Sequence, residues 1–92
     1  MTTKVILAED LGAEVDGAFH WFPGGRAVLV AHGVSVDECG FHMMGLDGVT
    51  ILVLTSSIVD TLSKYDLPPG AYRVTTGTNS SGIYAALFTV EY

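Results

Sequence analysis

The sequence predicts an all-β domain, a compact antiparallel β-sandwich or jelly-roll-like barrel of about six to eight short strands with at most one short helical turn. Three observations carry this prediction. Apolar segments of strand length are cut by Gly and Pro about every ten residues. The pair Asp47-Gly48 stands between two apolar runs, the strongest short-range hairpin signal a sequence offers. No segment between the strands has the length and period of a crossover helix, which a parallel sheet would require.

Taken in order, Val5-Ile6-Leu7 opens the chain and an acidic, Gly-containing stretch from Glu9 to Gly17 follows. Residues 1–17 contain few core candidates and read as an N-terminal arm or a first edge strand, with residues 18–92 as a single β-domain. Ala18 to Phe22 forms a strand stopped by Pro23-Gly24-Gly25, and Arg26 to Val34 a long apolar one. Phe41 to Leu46 and Val49 to Thr55 flank Asp47-Gly48 and predict a hairpin closed by a type I′ turn, with positive φ at both central residues. Ser57-Ile58-Val59-Asp60 has the form of a helix capping box, with Ile58, Leu62 and Tyr65 on one face. The same segment is short enough to be a turn or an edge strand. Leu67-Pro68-Pro69-Gly70 breaks the chain. Ala71 to Thr76 and Ile83 to Tyr92 follow as strands, joined by the polar loop Gly77 to Gly82 as a wider hairpin.

Composition bears on function. Of 92 residues, 49% are hydrophobic and only 15% charged, against about 25% charged in an ordinary domain. A small domain has much surface to cover, so either Ser, Thr and Gly carry its solubility or, as the favoured expectation, part of that surface is buried against a partner. Val49 to Leu54 is apolar at alternate positions on both sides, and Val28 to Ala31 nearly so. A sheet with one wet face should instead alternate. The net charge of −6, with Lys4, Arg26, Lys64 and Arg73 scattered singly, argues against nucleic acid and against an anionic membrane surface. No apolar run approaches the roughly 20 residues of a membrane-spanning helix. No basic segment followed by an apolar one opens the chain, so synthesis in the cytosol is expected. Cys39 is a single cysteine without an internal disulfide partner.

No constellation of catalytic residues emerges, and no enzyme, cofactor or metal is expected. His20, His32, Cys39 and His42 have zinc-compatible side chains in a spacing that matches no common zinc motif. Glu9/Asp10 and Asp37/Glu38 read as solvated loop acids. Pro23-Gly24-Gly25 lacks the Lys-Ser/Thr of a phosphate loop. The candidate interface residues are instead aromatic and aliphatic: Phe19, Trp21, Phe22, Leu52, Tyr84 and Tyr92. For the cluster Phe19, Trp21 and Phe22 core packing and a brace for the Pro-Gly-Gly turn is the stronger expectation, with an interface anchor as the alternative. Leu52→Asp is expected either to unfold the domain or to dissociate it.

The order Phe-His-Trp-Phe-Pro-Gly-Gly-Arg at 19–26, a long apolar strand, an Asp-Gly hairpin, Leu-Pro-Pro-Gly-Ala-Tyr-Arg-Val at 67–74 and Ser-Gly-Ile-Tyr-Ala at 81–85 resembles small virion structural proteins of tailed bacteriophages. The resemblance spans residues 18–92 and rests on structural punctuation. It implies a β-sandwich or jelly roll that forms a homotrimer and serves as a decoration or cement protein on the capsid surface. The implied partners are further copies of itself and the major capsid protein or other virion proteins. It also implies that residues 1–17 act as an arm reaching neighbouring shell subunits. A tail, head-closure or fibre module is the alternative from the same resemblance. A small-ligand or carbohydrate-binding β-domain, using Trp21 and the tyrosines as stacking surfaces, is a further alternative from the residues themselves.

Overall fold

The computed structural model describes residues 3–59 and 61–90. Eight strands form in chain order: β1 (Lys4–Leu11), β2 (His20–Phe22), β3 (Gly25–Val34), β4 (Gly40–Met44), β5 (Ile51–Thr55), β6 (Leu62–Leu67), β7 (Gly70–Thr75) and β8 (Ser81–Thr89). A single 3-10 turn, Val36–Glu38, lies between β3 and β4. The strands make two antiparallel four-stranded sheets, ordered β1-β8-β3-β6 and β2-β7-β4-β5. The protein measures 18 Å in its thinnest direction, which fits two sheets about 10 Å apart and no third layer.

The connectivity follows from one operation. β1 pairs with β8, β2 with β7, β3 with β6 and β4 with β5. The chain is therefore one long antiparallel hairpin with its tip at the β4–β5 loop, rolled so that β3 meets β8 and β4 meets β7. That is jelly-roll topology. It also corrects one expectation: β7 and β8 do not pair as a hairpin. They lie in different sheets, and the 77–82 loop carries the chain from one sheet to the other. Buried Ser80 holds this crossing. Its hydroxyl accepts the Gly77 amide at 3.1 Å, donates to the Ser35 carbonyl at 3.2 Å and touches the Cys39 sulfur at 3.7 Å.

Period-two alternation places the core. Ala27, Leu29 and Ala31 on β3, Tyr72 and Val74 on β7, and Ile83, Ala85 and Leu87 on β8 all point between the sheets. One aromatic from each of three neighbouring strands lines the second sheet. Tyr72 stacks on Phe41 at 5.7 Å and meets Phe22 edge-on at 6.1 Å. Phe41 reaches across the sandwich to Tyr65 of β6 at 5.2 Å. The Tyr72 hydroxyl donates to the Pro68 carbonyl at 2.6 Å, so its polar end is satisfied where the ring is buried. Burial raises the phenol pKa of both Tyr65 and Tyr72.

Residues 4–11 are an integral edge strand, and they supply more core than the sequence suggested. Leu7 and Ala8 are both buried, and β1 shifts register between Ile6 and Ala8, a bulge that bends the strand there. Asp10 takes a left-handed conformation at φ 51° within the second shift, between Ala8 and Leu11. The capping box at 57–60 nucleates no helix. Ile58 is instead buried and its amide donates to the Cys39 carbonyl at 3.0 Å, while Leu62–Leu67 forms strand β6. Asp60 lies outside the described residues.

The β4–β5 hairpin forms, but its turn is not type I′. The pair closest to the tip is Gly45 and Thr50, whose amide–carbonyl bond measures 2.6 Å, and a tighter turn from Gly45 to Gly48 lies within it. Only Gly48 has positive φ (73°), and Asp47 does not. The Asp47 carboxylate explains the choice. It accepts the amides of Val49 (2.9 Å) and Thr50 (2.8 Å) and the Thr50 hydroxyl, a local network that a two-residue turn has no room for. These hydrogen bonds, the Thr50 hydroxyl first, lower its pKa to about 2.

Candidate functional site

Rolling one hairpin into two sheets leaves four edges: β1 and β6 in one sheet, β2 and β5 in the other. An open edge presents unpaired N–H and C=O groups to any other strand, so folded proteins guard edges with charge, bulges, proline or brevity. Three of these edges are guarded. β1 carries Lys4, Glu9 and Asp10 and two register shifts. β6 carries Lys64 and Asp66. β2 is three residues long and runs into Pro23. β5 is Ile-Leu-Val-Leu-Thr, with no charge and no proline. Its one irregularity is the extra residue Leu54, between Val53 and Thr55.

The side chains of β5, apolar on both faces, are exposed on both. Register places Leu52 beside inward-facing Met43, and Ile51 and Val53 beside outward-facing Met44 and His42. Leu52 nevertheless stays 44% exposed on this edge strand, which is paired with β4 alone, and Val53 is 59% exposed. Leu46 and Val49 at the hairpin tip and Val59 beyond the strand are exposed as well. Together they form an apolar ridge along one side of the molecule, of a kind that marks an association surface.

The outer face of the first sheet is the second apolar area. Ile6, Val30, Tyr84, Ala86 and Phe88 line an open depression of about 280 Å³ with Lys4, Glu9 and His32 around it. His32 stacks on Tyr84 at 5.4 Å, and the Lys4 ammonium lies 5.8 Å from the Phe88 ring. Tyr84 is thus at the surface, in a position to contact a partner.

The aromatic cluster at 19–22 divides three ways. Phe22 is wholly buried against Tyr72. It serves the core and cannot touch a partner, which corrects its selection as an interface residue. Trp21 faces the other way and is 66% exposed, so its expected place in the core is wrong. Phe19 packs under the guanidinium of Arg73 at 4.8 Å. Tyr92 lies outside the described residues. Because Trp21 touches so little of its own subunit, Trp21→Ala is expected to change subunit stability by no more than about 0.5 kcal/mol in chemical denaturation. Its removal from the core would have cost about 3–5 kcal/mol.

The zinc-compatible side chains are dispersed. His20 is exposed on β2, His32 lies on the other sheet, and Cys39 is buried beside Ser80 with its thiol pKa raised chiefly by burial. Among the described residues no group of three or more His, Cys, Asp or Glu side chains converges. No helix among them is long and apolar enough to cross a membrane.

His42 is half-buried on β4 and is held by a neighbouring side chain. Arg73 Nε donates to its Nδ1 at 3.3 Å, so that nitrogen carries no proton. Burial and then the Arg73 charge lower its pKa below 6.5, against a weaker opposite pull from Asp16. The unfolded chain therefore binds this proton more readily than the folded one. The stability it contributes is present above pH 6.5 and is lost as the pH falls through the lower, folded-state pKa. An NMR titration is expected to place the His42 midpoint below 6.5, and His42→Gln to flatten the corresponding slope of stability against pH. A midpoint at or above 6.5 would contradict the geometry.

Comparison of the chain with protein-family models, with curated proteins and with solved structures found no match.

Proposed function

We propose that the protein is a non-enzymatic structural subunit that works as a homo-oligomer, and that its place is a tailed-phage virion, as a decoration (cement) protein bridging shell subunits on the capsid surface. The observation that carries the reading is the β5 ridge: a strand edge without charge or proline, interrupted only at Leu54 and apolar on both faces, in a protein of net charge −6. A monomer gains nothing from such an edge and risks aggregation by it. The resemblance of residues 18–92 to phage virion proteins supplies the setting, and jelly rolls recur among viral capsid domains. That last support is analogy of fold, and function resides in surfaces.

Magnitudes favour association of moderate strength. The exposed parts of Leu46, Val49, Ile51, Leu52, Val53, Leu54 and Val59 amount to about four fully exposed aliphatic side chains, each worth about 1.5–3 kcal/mol when fully buried. Burying half of that on each of two copies contributes about 6–12 kcal/mol, close to the roughly 4–15 kcal/mol cost of association. A subunit that binds weakly alone and at several points when assembled suits a capsid surface, where multivalency amplifies modest contacts.

Two measurements test the reading separately. Light scattering after size exclusion reads the oligomer, and a monomer at millimolar concentration would remove the physical basis for assembly. Mass spectrometry of virions from the source of this sequence, separated into heads and tails, reads the setting. The chain is expected in the head fraction. Its presence in tails alone would favour the tail alternative, and its absence from virions would end the phage assignment.

A further inference from the structure

Resting on the assembly reading, we infer that the β5 edge pairs antiparallel with β5 of a second copy across a two-fold axis at Val53, joining the two β2-β7-β4-β5 sheets into one eight-stranded sheet. A strand edge offers backbone donors and acceptors in a row, and only another extended strand satisfies them. The partner strand must also be apolar on both faces, because β5 is. Among the edges of the described residues only β5 meets that requirement. Pairing it with β1 or β6 would set Ile51 to Leu54 against Glu9 and Asp10, or against Lys64 and Asp66. β2, at three residues, is too short to cover it.

Charge points the same way. Two copies of a −6 protein repel each other over most of their surfaces. β5 carries no charge, and the nearest carboxylate of defined position on its hairpin, Asp47, lies toward one end. Antiparallel pairing about the middle of the strand sends the two Asp47 side chains to opposite ends of the interface, each toward the partner's uncharged Ser56–Val59 segment. The contact is self-complementary, as a two-fold interface must be. It makes a dimer where the resemblance implies a trimer.

The test uses the full chain at matched concentrations. Val53→Lys and Val53→Glu each place like charges opposite one another at the axis, while in the subunit Val53 is exposed and both variants should keep the wild-type circular dichroism. The expected result is a wild-type mass twice 9.7 kDa. Each variant alone should weaken the dimer at least about a hundredfold, and an equimolar mixture of the two should restore it by pairing lysine with glutamate. Tyr84→Lys, on the other sheet, should leave the dimer intact. A wild-type oligomer that survives in both Val53 variants overturns the β5 contact and leaves the assembly reading standing. A wild-type monomer at millimolar concentration overturns both.

Discussion

Phe41→Ala is expected to lower subunit stability by about 3–5 kcal/mol, the range for emptying an aromatic site in a packed core. Phe41 is fully buried, stacks on Tyr72 within its own sheet and touches Tyr65 in the opposite one. The ring thus joins the two layers, and neither neighbour can collapse into the space without leaving its own strand position. In a domain of this size about 4 kcal/mol corresponds to a fall in Tm of roughly 15–30 °C and takes a large share of the total stability. Differential scanning calorimetry reads it directly. A loss below about 1 kcal/mol would show that Phe41 does not hold the sheets together.

Leu52→Asp is expected to act on the assembly and to spare the subunit. The sequence left two outcomes open for this change, unfolding or dissociation, and the exposure of Leu52 decides between them. About half of the side chain is already in water, so removing the rest from its contacts costs about 1 kcal/mol, and the carboxylate can reach solvent from the edge strand. In an assembled β5 interface the same carboxylate would be dehydrated beside its own copy, which costs several kcal/mol. The variant should run as a monomer on size exclusion where the wild type is associated, with circular dichroism and Tm close to those of the dissociated wild type. Loss of the folded signal in Leu52→Asp would mean that Leu52 belongs to the core.

The pair of variants separates two kinds of apolar residue that the sequence presents alike. Phe41 and Leu52 both lie in apolar runs on either side of one turn. Phe41 is on β4, flanked by β7 and β5, and Leu52 is on β5, which has a neighbour on one side only. The difference is position in the sheet, which local pattern does not encode.

The chain by itself determined the all-β class, the approximate extent of most strands, the hairpin at Asp47-Gly48 and the doubly apolar character of β5, because each depends on residues near one another: period-two alternation, turn-forming glycine and proline, and β-branched runs. It misjudged what depends on distant residues. The turn type is the one local exception, decided by the Asp47 carboxylate accepting the amides of Val49 and Thr50, two and three residues on. The fate of Ser57–Val59 was decided by Ile58 docking on Cys39 rather than by its capping-box pattern. Trp21 and Phe22 are adjacent, and alternation assigns them to opposite faces, yet only the packing of β2 against Tyr72 settles which face is the core. The separation of β7 from β8, the pairing of β1 with β8 and the isolation of β5 at an edge were decided by tertiary structure alone. Each results from rolling a long hairpin so that its apolar faces meet, and the strands this brings together are tens of residues apart in the chain.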